Sequence, residues 1–218
     1  MPSKPRNGVA TLQMFPWPTM VAAVKSSADY PDFHTFYTSL PDILPQNSPE
    51  TRRRIANLVV RAYFPRRTLA ELPTLAWRSH RNNDLLTDLM RVYTLEAEPL
   101  VAGFVTRQVL AQAPGDAFDL ATVRDYISSA YGGFNAKSYE RLRTMLAYLG
   151  FIRRHSGGWL IAAIPEPGLA LLLLLHARLA PTPRIVRLSD LLGEPFWRYL
   201  GLRCPSQVRT ILHDAQAA

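Results

Sequence analysis

The side chains best placed to do chemistry in this chain are arginines, and the chemistry they offer is the holding of phosphates. A guanidinium presents a planar fork of N–H donors that fits phosphate oxygens and stays charged at any physiological pH. Arg52, Arg53, Arg54 and Arg61 form one group, and Arg141, Arg153 and Arg154 form another, with Lys137, Ser138 and Thr144 nearby in sequence. Between Arg52 and Arg81 eight arginines stand against one acid, Glu71, a charge of +7 in thirty residues out of +8 for the whole chain. The remainder alternates in sign, as an ordinary solvated surface does. Clustered arginine is the electrostatic footprint of a polyanion partner, because each phosphate neutralised releases counterions. The preference for arginine, 22 against 3 lysines, can also arise from composition alone, so position has to decide its meaning.

Residue sets for catalysis are sparse. His34, His80, His155, His176 and His213 are widely separated and match no metal-ligand spacing such as His-Glu-x-x-His. Phosphate-cradling glycine loops and the Gly-x-Ser-x-Gly elbow do not occur. Glu96 and Glu98 lie two apart on an expected helix, point to different faces, and read as surface residues rather than a metal pair. Cys204, beside Pro205, would be a nucleophile only if a histidine folded back onto it. The chain therefore reads as a protein without catalysis, cofactor or metal. A single cysteine allows neither an intramolecular disulfide nor a cysteine zinc site, which favours a reducing, cytoplasmic setting. Pro16 and Pro18 interrupt any apolar run behind Lys4 and Arg6, which argues against a secretory signal.

The second arginine group falls within the most informative local pattern, residues 119 to 164. Asp119 to Tyr131 reads as an amphipathic helix, Gly132 and Gly133 as a turn, and Ser138 to Leu149 as a second helix. Its stripe is Leu142, Met145, Leu146 and Leu149 at i, i+3, i+4, i+7. The opposite arc holds Lys137, Glu140, Thr144 and Tyr148, with Arg141 and Arg143 on its shoulders. Ser138 is the expected N-cap and Gly150 the left-handed terminator. Phe151 to His155 and Trp159 to Ile164 then make two extended segments around Ser156, Gly157 and Gly158, a hairpin with a basic tip. This succession is the plan of a winged helix, in which the second helix enters a major groove and the hairpin tip meets a phosphate. Winged helices also serve as protein-docking modules.

Elsewhere, punctuation sets the organisation. Residues 1 to 20 contain four prolines and read as an extended arm. The stretch to Gln46 reads as a short helix through Tyr30, Phe33, Phe36 and Tyr37 and then a loop through Pro41 and Pro45. Ser48, Pro49 and Glu50 are a strong helix start. That helix should run to Phe64, burying Ile55, Leu58, Val59 and Ala62 and exposing Arg53, Arg54, Asn57 and Arg61. Helices over Leu69 to Arg78, Leu85 to Ala97 and Leu100 to Gln112 should follow. Residues 113 to 116 are the expected boundary between a helical bundle (21–113) and the winged-helix unit (117–165).

The remaining residues, 166–218, read as a helical extension on the core. The run Leu169 to Leu175 spans about 10 Å as a helix against a hydrocarbon core of about 30 Å, too short to cross a membrane. It should be a core helix, or one packed between the winged unit and the C-terminal helices. Arg184 to Leu188 reads as a short strand, Ser189 to Leu200 as a helix whose Trp197 and Tyr199 enter the core, and Ser206 as the start of the last helix. The fold class expected is mainly α, with one small hairpin.

Several of these residues also carry a family resemblance. Ser48, Thr51, Arg53, Arg54 and Ile55, then Arg61 and Leu69, Arg91 and Tyr93, Phe104, and finally Ser138, Leu142, Leu146 and Gly150 to Ile152 resemble the BrxA family of BREX phage-defence systems, over about residues 48 to 155. The resemblance implies a small, mostly helical DNA-binding accessory protein without catalysis of its own. Its N-terminal part would resemble the NusB bundle, and it would act beside the system's methyltransferase and ATPase. The proline-rich N-terminus and the residues after Pro165 depart from that pattern.

Together these readings predict a non-enzymatic protein that binds double-stranded DNA, with other defence-system proteins as further partners and no membrane contact. Lys137, Ser138, Arg141 and Thr144 would approach the groove, Arg153 and Arg154 a flanking phosphate, and Arg52, Arg53, Arg54 and Arg61 would extend the backbone footprint. The alternative is a structural adaptor that uses the same surfaces to dock proteins.

Overall fold

The computed structural model describes residues 12, 13, 15–179 and 185–217. It is mainly helical with one small antiparallel hairpin. The chain enters its core earlier than its prolines predict: Leu12 and Phe15 are buried, and α1 (Trp17–Ser27) begins directly behind Pro16. Pro18 occupies the first turn, where its missing N–H would have had no helical partner. The expected arm is therefore core at Leu12 and Phe15 and helix from Trp17, while residues 1–11 and 14 lie outside the described residues. α2 (Phe33–Ile43) is likewise longer than expected and contains Pro41 in its last turn, where one backbone bond is lost. Asp32 starts it, its carboxylate accepting from the Thr35 N–H at 2.9 Å.

α3 (Pro49–Tyr63) follows the predicted pattern on both faces. The Ser48 hydroxyl accepts from the Thr51 N–H, Ile55, Leu58, Val59 and Ala62 are buried, and Arg53, Arg54, Asn57 and Arg61 are exposed. α4 (Leu72–His80) starts later than expected, leaving Leu69 buried in the preceding loop. α5 (Asn83–Ala97) is capped by Asn82, whose side-chain oxygen accepts from the N–H groups of Asp84 and Leu85. It buries Leu85, Leu86, Leu89, Met90, Val92 and Leu95, so it is covered on nearly every side. That makes α5 the axis of the molecule, with α3 and α4 packed along it.

α6 (Pro99–Phe104) passes into a π-helical turn, Val105–Val109, instead of the single helix to Gln112. Phe104 meets Phe118 and Tyr126 edge-on at 6.2 and 5.0 Å, and the Tyr126 hydroxyl donates to the Leu100 carbonyl. These contacts cross the expected boundary at 113–116, and buried side chains form one continuous cluster from Leu12 to Ile211.

The leucine-rich run forms α9 (Gly168–Leu179), which lies on α4 and α5. Leu171 and Leu174 are buried there, each worth about 2 kcal/mol by area removed from water. Its chief neighbours are thus bundle helices. Among the described residues no helix is long and apolar enough to cross a membrane.

The strand expected at Arg184 to Leu188 is not formed: Arg184 lies outside the described residues, 185–187 are irregular, and Leu188 opens α10 (Leu188–Gly193). The expected helix to Leu200 is split at Glu194 and Pro195, and α11 (Phe196–Tyr199) packs on α5 with Phe196 and Trp197 fully in the core. α12 (Pro205–Ala217) closes the chain, burying Val208 and Ile211.

Candidate nucleic-acid interface

Two helices and the hairpin make up the region that holds the second arginine group. Asp119 caps α7 (Leu120–Tyr131) by accepting from the Ala121 N–H, and Gly132 ends it at φ +69°, a conformation that favours glycine. α8 (Ala136–Tyr148) packs on α7 through Leu142, Met145 and Leu146. Its cap is Asn135, whose side chain accepts from the Ser138 N–H at 2.9 Å. Gly150, at φ +78°, then turns the chain into β1 (Ile152–His155), which pairs with β2 (Gly158–Ile161). The register sets Arg153 opposite Leu160 and Arg154 opposite Trp159.

The segment before α7 runs along the other side of β2. The Phe118 N–H donates to the Trp159 carbonyl at 2.8 Å, the Ile161 N–H to the Asp116 carbonyl and the Gly115 N–H to the Ile161 carbonyl, both at 2.9 Å. β2 is therefore bonded on both edges, which holds the hairpin against the helix pair.

Ser138 requires a correction, because it is neither the cap nor a surface residue. It sits in the first turn of α8 with 0 % exposure, facing inwards, and its hydroxyl has no hydrogen-bond partner among the described residues. The cap shifts three residues upstream because Asn135, in extended conformation, can accept from that turn's N–H groups. Ser138→Ala is expected to leave nucleic-acid binding unchanged and to stabilise the fold by up to about 1 kcal/mol, since it removes an unsatisfied buried hydroxyl. Chemical denaturation would check this, and a clear loss of stability would show that the hydroxyl has a partner.

The remaining residues divide by what else they hold. Lys137, Arg153 and Arg154 are exposed, and Thr144 is half-buried. The Arg154 guanidinium lies 5.5 Å from the Trp159 ring and that of Arg143 lies 5.8 Å from it, so the indole carries one cation from the hairpin and one from α8. Arg143 also pairs with Glu140 one turn away. Arg141 is half-buried and donates to the Leu12 carbonyl at 2.6 Å, while the Leu12 N–H donates to the Tyr131 hydroxyl at 2.9 Å. The N-terminal segment is thus tied to both helices of the pair.

That tie connects the two arginine groups. Gln13, the next residue, lines a groove of about 750 Å³ with Thr51, Arg54, Asn57 and Arg61 of α3. Arg53 and Arg54 are exposed, and Arg52 is half-buried. Arg61 is exposed too, yet it is ion-paired with Glu98. Glu98 is buried rather than at the surface, and that burial raises its pKa while the Arg61 charge opposes the rise.

Others of the upstream cluster are also spoken for. Arg66 grips the buried Glu71 with two N–H groups at 3.0 and 2.9 Å, and Arg81 reaches Asp29 at 3.7 Å. Part of the +7 is therefore neutralised within the fold, which charge counting cannot reveal.

Sequence reasoning passed over Arg124 and Phe134 at the α7–α8 turn. Both are exposed, and the Arg124 guanidinium lies 5.0 Å from the centre of the Phe134 ring. The available signal was an aromatic residue between two glycines and a capping asparagine, where no apolar stripe claims it.

Among the described residues no group of histidine, cysteine, aspartate and glutamate could hold a metal ion. Cys204 is exposed, and a hydrogen bond with the Ser206 hydroxyl at 2.9 Å lowers its thiol pKa.

No protein-family model matches this chain, and comparisons with curated proteins and with solved structures likewise return no match.

Proposed function

We propose that this protein binds double-stranded DNA through backbone phosphates, without catalysis, using a winged helix formed by α7, α8 and the β1–β2 hairpin. The observation that carries this reading is the set of cations around α8. Lys137 stands in its first turn, the guanidiniums of Arg143 and Arg154 lie 5.8 and 5.5 Å from the Trp159 ring, and Arg153 is exposed on the opposite face of the same strand as Arg154. Phosphate contacts position a protein on a duplex, and few base-reading groups are on offer, so binding is largely sequence-tolerant. Arg54, which lines the groove that Gln13 shares with α3, and Arg53, exposed on the same helix, extend the footprint. The resemblance to the BrxA family supports a place as an accessory protein in a BREX-like phage-defence system, beside other proteins of that system.

Salt dependence tests the proposal. Five phosphate contacts, from Lys137, Arg53, Arg54, Arg153 and Arg154, predict a fall in affinity of a few hundredfold between 50 and 200 mM salt. A gel-shift series with a 30-base-pair duplex would measure it; a flat salt response, or no shift at low salt, would sink the proposal.

The adaptor reading draws on a different place. Ile185 is fully exposed beside a groove lined by Leu175, Leu191 and Phe196. An adaptor would retain a protein partner during purification after nuclease treatment.

A further inference from the structure

Phe134 stands in the turn between α7 and α8 with 50 % of its surface in water. The ring is held from two sides, by the Arg124 guanidinium over it and by Tyr139, tilted at 58° with its centre 5.8 Å away. Asn135, immediately after it, caps α8, and exposed Lys137 lies in the first turn beyond. A restrained, half-exposed aromatic ring at the start of this helix, with one cation over it and another in the next turn, has the form of a contact residue.

We infer that Phe134 packs against the C5 methyl of thymine in the major groove and makes binding favour T-containing sites. The inference rests on the duplex-DNA reading above, which brings the N-terminal turn of α8 to the base edges. The thymine methyl is the apolar group that those edges present, and phenylalanine is among the side chains that pack on it. Arg124 lies over the ring and Lys137 is exposed in the helical turn that follows it, and both can take flanking phosphates as the ring meets the groove. Insertion of the ring between base pairs is the competing use of an exposed phenylalanine. It costs a few kcal/mol of unstacking per step and needs open ring faces, whereas Arg124 already covers one face.

The test compares two duplexes of the same sequence, one with thymine and one with deoxyuridine throughout, which differ only in the methyl groups. The full chain should bind the thymine duplex about fourfold more tightly for each methyl buried. Phe134→Ala should bind both equally, at the level of the native chain on deoxyuridine, while Phe134→Leu should keep part of the preference. Because the ring is half-exposed, all three proteins should melt within a few degrees of one another, so a loss of preference would not reflect unfolding. Equal binding of the two duplexes by the native chain, or a methyl preference surviving in Phe134→Ala, overturns the inference and leaves the duplex reading standing. Absence of binding to either duplex at low salt removes the duplex reading itself.

Discussion

Replacing Arg91 with methionine should lower the stability of the fold by about 3 kcal/mol, equivalent to a drop of roughly 6–12 °C in Tm for a chain of this size. Arg91 is 5 % exposed on α5, and its guanidinium does two jobs. Nη1 donates to the Asp88 carboxylate at 2.7 Å, and Nε donates to the Leu149 carbonyl, at the end of α8, also at 2.7 Å. The same group lies 5.8 Å from the centre of the Phe151 ring and borders Gly150, where an added Cβ would come within 3.7 Å of it.

Burial lowers the pKa of Arg91 and raises that of Asp88, and each shift is opposed by the partner's charge. Removing the arginine therefore strands a largely buried carboxylate and a carbonyl together. Methionine keeps the apolar stem and fills similar space, so the loss measured is chiefly electrostatic. Thermal melts followed by circular dichroism would measure it. Adding Asp88→Asn to Arg91→Met should recover part of the loss, because the stranded charge is gone. A loss below about 1 kcal/mol, or no recovery in the double variant, would mean that Arg91 does not clamp α5 to the end of α8.

Reversing charge at the hairpin, with Arg153→Glu and Arg154→Glu together, should weaken duplex binding about a hundredfold at low salt, roughly tenfold per residue. Both side chains are exposed, so the fold is expected to survive the change, and near-ultraviolet circular dichroism would verify it. Loss of two phosphate contacts should also reduce the slope of log affinity against log salt by about two, and by the same amount on every sequence. Unchanged affinity would show that the hairpin is not a contact. Arg61→Glu would be a poorer probe: it would set a second carboxylate beside the buried Glu98, so lost binding and lost stability could not be separated.

Two residues show why part of the candidate site was legible and part was not. Arg54 was predicted to face solvent because its place on the 3.6-residue period of α3 opposes the apolar stripe, and it does. Ser138 was predicted as a cap on the strength of residue type, but the helix starts upstream of it, and the Asn135 side chain accepts from the N–H of Ser138 itself. Where one periodic stripe decides orientation, the local pattern suffices. Where two nearby residues could each cap the first turn, the point at which the backbone turns helical selects between them.

By itself, the order of residues determined the mainly helical class, the start of α3 at Ser48, the hairpin after Gly150, and the burial of Trp197 and Tyr199. These follow from periodicity, capping and turn chemistry within a few residues, which act locally. Tertiary structure decided what lies between distant parts of the chain. It placed Glu98 on Arg61, Asp29 on Arg81 and the Leu12 carbonyl on Arg141, and it laid α9 along α4 and α5. Charge counted along a chain takes no account of partners brought close by folding. Which arginines of this protein remain able to meet a phosphate is therefore set by packing, because an ion pair depends on distance in space and not on separation in sequence.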